Sequence, residues 1–191
     1  PSSSSAASDV YKRQGRGGMG HVYKGFDTNL DREIAIKVMH PSRAKDEVSK
    51  KRFLRESKTA ASINHPSIVT IYQIGEHNKL PYIAMHLIDG PNLSEYRAQQ
   101  GGLIPIPEAV RIGREISEGL AAAHEKGLVH RDIKPDNILL EGPNRHVQII
   151  DFGLAHETGD NEGRLTLDNA VIGTPAYMSP ERIGTCLLYT S

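Results

Sequence analysis

The string HRDIKPDN occupies residues 130–137 and places acidic, basic and amide side chains next to one another. It comes shortly after residues 107–126, which are the strongest helix prediction in the chain. Pro107 near the start and Gly127 after the end match the residues that favour helix entry and exit. The apolar positions with helical spacing are Ala109, Ile112, Ile116, Leu120 and Ala123. A cluster of chemically versatile side chains therefore follows a well-bounded helix.

The chain before residue 89 has the pattern of a small antiparallel sheet that carries one helix. Four runs rich in β-branched and apolar residues predict strands at residues 21–26, 33–39, 67–74 and 80–88. A polar turn separates the first two runs, and the turn GEHNK at residues 75–79 separates the last two. Residues 45–62 are charged with a partial apolar stripe, which predicts a partly exposed helix that ends before Pro66.

The pattern changes after residues 89–91, which read Asp-Gly-Pro. Residues 127–140 and 147–151 are short apolar runs that polar residues interrupt, and residues 157–169 form a polar loop that contains glycine. No repeat period appears.

The glycine cluster GRGGMG at residues 15–20 is a weak signal when taken alone. A dinucleotide-binding site needs a helix immediately after such glycines, but the residues that follow alternate as a strand does. A P-loop needs Lys-Ser or Lys-Thr next, and His21-Val22 stand there instead. We therefore expect a glycine-rich hairpin whose backbone amides can approach phosphate.

Five motifs follow the glycine cluster in a fixed order. They are Ala35-Ile36-Lys37, Glu56 on the predicted helix, HRDIKPDN, Asp151-Phe152-Gly153 and Ser179-Pro180-Glu181. This order resembles the protein kinase family. The strings GGMGHVY at 17–23 and IGTPAYMSPE at 172–181 most resemble the bacterial eukaryotic-type (Hanks-type) Ser/Thr kinases.

The resemblance covers residues 15–185 and implies an α+β, two-lobed, protein-kinase-like fold. Its N-lobe is an antiparallel β-sheet plus one helix, here residues 15–88 without the start of the first strand. Its C-lobe is mainly α-helical and incomplete here, with residues 89–185 forming its first half through the activation segment.

The resemblance assigns the catalytic roles. Lys37 would hold the α- and β-phosphates of ATP, and Glu56 would pair with Lys37 and fix its direction. Asp132 would accept the proton of the substrate hydroxyl or orient that hydroxyl, and Lys134 would neutralise the transferring γ-phosphate.

The implied cofactors are ATP and Mg²⁺ or Mn²⁺. Asn137 and Asp151 would bind the metal, because both offer hard oxygen ligands. The residues implied to contact the nucleotide are Gly15, Arg16, Gly17, Gly18, Met19, Gly20, Val22, Ala35, Lys37, Met85, His86, Ile88 and Leu139. Val22, Ala35 and Leu139 would enclose the adenine, Met85 would stand behind it, and the backbone of His86 and Ile88 would bond its edge.

A stack of side chains would keep the two lobes aligned in such a fold. The matching residues are Ala60, Ile71, His130 and Phe152. His130 is therefore interpreted as a packed structural histidine and not as a catalytic base. A zinc site is not expected, since His124 and His130 share no helical spacing with a third ligand.

Substrate class and regulation also follow from the resemblance. Lys134 together with Thr174 is the Ser/Thr-kinase pattern, so the partners would be protein substrates with Ser or Thr. Arg131 would form a pocket for a phosphate on the activation loop. Thr166 is the candidate phosphosite, with Thr158 and Thr174 as weaker alternatives, and a homodimer could serve autophosphorylation.

Two other classes of function stay open at this stage. One is a nucleotide-binding pseudokinase or interaction module, which the intact Lys37, Asp132, Asn137 and Asp151 argue against. The other is a small-molecule kinase, which the long segment from Asp151 onward disfavours.

Composition excludes several classes of protein. The 23 Lys plus Arg balance the 23 Asp plus Glu, which disfavours a nucleic-acid partner. No apolar run approaches the ~20 residues of a membrane helix. We therefore expect a cytoplasmic kinase domain with no membrane segment of its own, although its full-length parent could be membrane-anchored.

The two ends of the chain carry an unusual relation. DVYKRQ at 9–14 and CLLYTS at 186–191 can be encoded by DNA strings that are reverse complements over nearly their whole length. One sequencing adapter joined to both ends of a DNA fragment produces this relation. We interpret residues 1–14 and 186–191 as adapter-derived and not native, the alternative for the first being a flexible Ser/Ala-rich leader. The single cysteine, Cys186, falls within residues 186–191. We expect this truncated chain to be weakly active or inactive.

Overall fold

The computed structural model describes residues 12–17, 20–152 and 177. A five-stranded antiparallel sheet forms the N-lobe, with strand order β1-β2-β3-β5-β4. The strands are β1 (Lys12–Gly17), β2 (Gly20–Asp27), β3 (Arg32–Met39), β4 (Ile71–His77) and β5 (Leu80–His86). The predicted antiparallel sheet is confirmed. β1 begins at Lys12, so Lys12 and Arg13, which the sequence analysis assigns to an adapter, pair with Lys24 and Tyr23 of β2.

The central strand β3 is buried on both faces. On one face Ala35 packs with Ile83 and Met85, and on the other Ile34 and Ile36 pack with neighbouring strands. A strand in the middle of a sheet that is covered on both faces is apolar at nearly every buried position. Lys37 is the one charged residue among the buried positions of β3, and its burial positions a cation in the interior of the lobe.

Two helices follow β3. α1 (Pro41–Ala44) is a single turn that the sequence analysis did not predict, and α2 (Glu47–Ala61) is the predicted helix. Asp46 caps α2, because its carboxylate accepts hydrogen bonds from the amides of Val48 at 3.3 Å and Ser49 at 2.9 Å. The residues of α2 that are buried are Phe53, Glu56, Ser57 and Ala60.

Two boundaries in the N-lobe differ from prediction. β4 continues to His77, so the turn contains only Asn78 and Lys79, whose φ values of 49° and 64° suit a two-residue hairpin turn. β4 also begins at Ile71, later than predicted. Residues 67–69 instead bond to Ile149, with the Val69 amide 3.1 Å from the Ile149 carbonyl oxygen.

The described part of the C-lobe contains two helices and a hairpin. These are α3 (Leu93–Gln99), α4 (Ile106–Glu125), β6 (Ile138–Glu141) and β7 (His146–Ile149), with a 3₁₀ turn at Pro135–Asn137. Within the described ranges, no helix is both long enough and apolar enough to cross a bilayer. The core lies between α4 and the β6–β7 hairpin, where Ile112, Ala123, Val147 and Ile149 are buried. The HRDIKPDN stretch leads into β6, and Asp151 follows β7, so the hairpin has candidate site residues at both of its ends.

Candidate active site

Lys37 and Asp151 form an ion pair between the two lobes. Lys37 Nζ lies 2.6 Å from Asp151 Oδ1, and the lysine side chain is only 6% exposed. Lys37 comes from β3, while Asp151 follows β7. The predicted phosphate-binding lysine and the predicted metal ligand are thus brought together in one cleft.

Glu56 takes a different partner from the predicted one. Its Oε1 lies 3.6 Å from Arg131 Nη1, and within the described residues no ion pair joins Glu56 to Lys37. Its Oε2 is buried and has no hydrogen-bond partner among the described residues. Burial raises the pKa of Glu56 above its ordinary value, and the nearby Arg131 guanidinium opposes that rise only in part. In this conformation Lys37 is engaged by Asp151, so Arg131 is the cation that meets the buried carboxylate.

Asp132 lies at the centre of a polar cluster made by the HRDIKPDN stretch. Lys134 Nζ is 2.9 Å from Asp132 Oδ2. The Asn137 side-chain amide donates to the Asp132 backbone carbonyl at 2.8 Å and to Asp132 Oδ2 at 3.2 Å. The 3₁₀ turn at Pro135–Asn137 folds the asparagine back toward the aspartate. The predicted base, the predicted γ-phosphate ligand and a predicted metal ligand therefore share one short loop.

His130 joins the HRDIKPDN loop by hydrogen bonds to the segment just before Asp151. Its Nε2 donates to the Ile150 carbonyl at 2.8 Å, and its Nδ1 accepts from the Asp132 amide at 3.3 Å. One donor and one acceptor nitrogen define a neutral imidazole, and burial lowers the pKa of His130 accordingly. Its ring packs on Phe152 with centroids 4.8 Å apart. The structural role predicted for His130 agrees with these contacts.

Two residues beside the site adopt a left-handed backbone. Arg131 has φ of 67° and Asp151 has φ of 66°, and neither is glycine. Such conformations cost about 1–3 kcal/mol each and persist where the surroundings impose them. The strain therefore lies at the two positions that aim the ion-pairing side chains into the cleft.

Most of the predicted nucleotide-binding residues that the structure describes belong to strands of the N-lobe. The β1–β2 hairpin pairs Gly15 with Val22 and Gly17 with Gly20. A Cβ atom on Gly20 would lie 2.1 Å from the Val38 carbonyl oxygen, so this glycine is required by close strand approach. The predicted residues that pack on the same apolar cluster are Val22, Ala35, Met85 and Ile88. Leu139 lies on β6, on the other lobe.

Several predicted positions lie outside the described residues. These are Gly18, Met19, Thr158, Thr166 and Thr174. Arg16 belongs to β1, where its backbone pairs with His21.

The donor groups present are suited to a hard divalent cation. Asp151 supplies a carboxylate that is 30% exposed at its side chain. Asn137 uses its amide nitrogen toward Asp132, which leaves its amide oxygen as the group able to bind a cation. Oxygen ligands of this kind fit Mg²⁺ or Mn²⁺. In the described part of the chain, no group of three or more His, Cys, Asp or Glu gathers as a metal site.

Sequence reasoning missed a second polar cluster beside the cleft. His86 was predicted to act through its backbone, yet its side chain contacts Glu141 through Nε2 and the Tyr72 hydroxyl through Nδ1 at 3.1 Å. Period-two alternation places Glu141 on the same face of β6 as Leu139, and this was the available signal.

The chain matches the protein kinase domain family over residues 9–191. It belongs to that family. The matched range includes residues 9–14 and 186–191, whose assignment to an adapter stays a prediction.

Three curated relatives of this kinase domain come from bacteria. It is 42% identical over 168 residues to the serine/threonine-protein kinase PrkC of Bacillus subtilis. The aligned region covers 88% of this chain and 25% of PrkC. It is 41% identical over 172 residues to a probable serine/threonine-protein kinase of Streptomyces coelicolor, SCO3848, with the same two shares. It is 39% identical to PknE of Mycobacterium tuberculosis, covering 92% of this chain and 32% of PknE. The kinase domain therefore spans about a quarter to a third of these relatives.

A solved structure supports the fold. The crystal structure of the Mycobacterium tuberculosis PknI kinase domain is similar with a TM-score of 0.70 and 32% identity, over 79% of this chain and 61% of that one. The two-lobed kinase fold predicted from the motifs is thereby confirmed.

Proposed function

We propose that this chain is the catalytic part of an ATP-dependent protein serine/threonine kinase. The observation that carries the proposal is the grouping of Asp132, Lys134 and Asn137 within hydrogen-bonding distance. The Ile150 amide donates to the Asn137 carbonyl at 3.0 Å, next to Asp151 and its ion pair with Lys37. Family membership and the names of the curated relatives support the same activity.

The chain's own residues divide the work of phosphoryl transfer. Asp132 holds a substrate hydroxyl and takes its proton or orients it. Lys134, already 2.9 Å from that carboxylate, adds positive charge where the transferred phosphate gains negative charge. Asn137 fixes the loop by bonding both the backbone and the side chain of Asp132.

Nucleotide and metal would be held between the lobes. Lys37 would contact the α- and β-phosphates, and Asp151 with Asn137 would hold Mg²⁺ or Mn²⁺. When bound, the metal neutralises phosphate charge. Val22, Ala35, Met85 and Leu139 would surround the adenine with apolar surface.

A label-transfer assay tests this function. The full-length parent protein is incubated with γ-labelled ATP, Mg²⁺ and a generic basic protein, beside Asp132→Asn and the matched control Asp136→Asn, whose side chain is exposed in the same loop. We expect transfer to Ser and Thr by wild type and the control, and a loss of about 10²- to 10⁴-fold in Asp132→Asn.

The same assay separates the proposed function from both rivals. A pseudokinase would bind nucleotide without transferring label, and a small-molecule kinase would leave the protein unlabelled. Absence of transfer by wild type would contradict the proposal.

We also propose that activation-loop phosphorylation regulates the site. A phosphate on Thr166 would compete with Glu56 for the Arg131 guanidinium, and Glu56 would then be released to pair with Lys37. Autophosphorylation within a homodimer of a cytoplasmic kinase domain would supply that phosphate. Phosphopeptide mapping of the active protein should find Thr166 modified, and an unmodified Thr166 would contradict this mechanism.

A further inference from the structure

The linker of residues 87–92, which joins β5 to α3, lies directly against β6. The Leu140 amide donates to the Pro91 carbonyl at 3.0 Å, and the Gly142 amide donates to the Asp89 carbonyl at 3.4 Å. A Cβ atom on Gly90 would lie 1.9 Å from the Leu140 carbonyl oxygen. The linker backbone is therefore packed on β6 so closely that only glycine fits at residue 90.

A set of side chains spans the same junction, and we call Tyr72, His86 and Glu141 the hinge cluster. His86 ends β5, and its Nε2 bonds to Glu141 Oε1 on β6. The Tyr72 hydroxyl, from β4, lies 3.1 Å from His86 Nδ1. The Arg32 guanidinium stacks over the Tyr72 ring at 3.5 Å. Two strands of the N-lobe are thus joined through one imidazole to a strand of the C-lobe.

A neutral His86 satisfies both of its neighbours. Its Nε2–H donates to the Glu141 carboxylate, and its Nδ1 accepts from the Tyr72 hydroxyl. The His86 side chain is 36% exposed and that of Glu141 is 28% exposed. Partial burial makes the contact stronger than a fully solvated surface pair.

The position of the cluster relates it to nucleotide binding. Glu141 and Leu139 lie on the same face of β6, and Leu139 is expected against the adenine. The backbone of His86 and Ile88 is expected at the adenine edge, and the linker contains Ile88. Whatever fixes the linker on β6 therefore fixes the hydrogen-bonding groups offered to the nucleobase.

We propose that Tyr72, His86 and Glu141 are positioning residues that hold the linker on β6 and thereby set the affinity for the adenine nucleotide. This inference rests on the proposed kinase function for its ligand. The cluster acts on the nucleobase end of the cleft, so its loss should weaken nucleotide binding more than it slows phosphoryl transfer.

Two variants of Glu141 test the bond. Glu141→Ala removes the acceptor, whereas Glu141→Gln keeps an acceptor oxygen for a neutral His86. Glu118→Ala, exposed on α4, is the control. We expect Glu141→Ala to raise the dissociation constant and KM for ATP by about two- to tenfold, the effect of one net hydrogen bond, and to raise KM more than it lowers kcat. Glu141→Gln should recover most of the affinity, and Glu118→Ala should match wild type.

Amide hydrogen exchange gives a readout that does not depend on nucleotide. In Glu141→Ala, the amides of Leu140 and Gly142 should exchange faster, because the linker that they bond is released more often. The double variant His86→Ala with Glu141→Ala should lose no more affinity than the larger single variant, since both changes break one contact.

Three results would overturn the inference. They are an ATP affinity in Glu141→Ala equal to that of wild type, an affinity in Glu141→Gln as low as in Glu141→Ala, or fully additive effects in the double variant. Failure of wild type to bind ATP would instead count against the proposed function. In that case unchanged exchange at Leu140 and Gly142 would still refute the hinge cluster, and faster exchange would support its hold on the linker.

Discussion

At the scale of single residues, Glu56 is a carboxylate whose ionisation opposes folding. Burial raises its pKa in the folded protein above the ordinary value of 4.5. The folded state therefore binds the proton more tightly than the unfolded state does. As the pH rises from 4.5 through the folded-state pKa, this group subtracts stability, and the loss is complete above that pKa.

We predict that Glu56→Gln is more stable than wild type near pH 7 and that the difference shrinks as the pH falls below about 4.5. Thermal unfolding across this pH range measures the effect. Glu125→Gln, exposed at the end of α4, is the control and should show no such pH dependence. A Glu56→Gln protein that is less stable than wild type at pH 7 would show that the ion pair with Arg131 outweighs burial.

His130 gives a second prediction for a single side chain. His130→Leu keeps an apolar side chain against Phe152 but leaves the Ile150 carbonyl and the Asp132 amide without their partner. Each orphaned buried group costs about 1–3 kcal/mol. We expect urea unfolding to show a loss of at least about 2 kcal/mol, while His124→Leu, exposed on α4, should change stability little. Equal stability of the two variants would contradict the bridging role of His130.

The motif residues themselves were predictable, whereas their partners were not. The order of motifs indicated Lys37, Asp132 and Asp151 as members of one site. The choice of Arg131 as the partner of Glu56 depends on the position of α2 and on a left-handed backbone at Arg131. Neither property can be predicted from local residue patterns, so the sequence analysis pairs Glu56 with Lys37 instead.

At the scale of elements, α4 carries two glycines with opposite surroundings. A Cβ atom on Gly113 would meet no atom within 4 Å, whereas one on Gly119 would lie 2.8 Å from Ile149 Cδ1 and 3.3 Å from Ser67 Cβ. Gly119 thus lets α4 approach β7, the strand that leads to Asp151.

We predict that Gly113→Ala stabilises the protein by about 0.5–1 kcal/mol, the usual preference of a helix interior for alanine. Gly119→Ala has the same helical benefit but must displace Ile149, so it should destabilise the protein. Denaturant unfolding of the two variants gives the comparison. Stabilisation by both substitutions would mean that α4 does not pack on β7 this closely.

Element types were easier to predict than element ends. Apolar periodicity indicates α2, α4 and four strands of the N-lobe, β2 to β5. It could not separate residues 67–69 from β4, because an apolar run looks the same whichever sheet it pairs with. The β4–β5 turn was predicted too long because Gly75 and Glu76 resemble turn residues but pair with Tyr82 and Pro81.

At the scale of the whole molecule, the cleft is closed by contacts that join both lobes, and a nucleotide would add to them. We predict that ATP with Mg²⁺ raises the midpoint of thermal unfolding. When the ligand is at 100 times its dissociation constant, it adds about 2.7 kcal/mol to the free energy of unfolding. Lys37→Met should lose most of this rise, because the buried cation that would meet the phosphates is gone. Lys58→Met, exposed on α2, should keep it. An equal rise in both variants would contradict the role of Lys37.

Besides the side-chain contacts between the lobes, two sets of backbone hydrogen bonds restrict how the cleft can open. The linker of residues 87–92 is bonded to β6, and at a second place the Ser67 carbonyl and the Val69 amide are bonded to Ile149. A rigid body held at two separate points can turn only about the line through them. Opening is therefore a rotation with a single degree of freedom, and displacement grows with distance from that axis. The edge strand β1, which lies at the opposite side of the sheet from β4 and β5, should therefore move farther during opening than the backbone at Ile149.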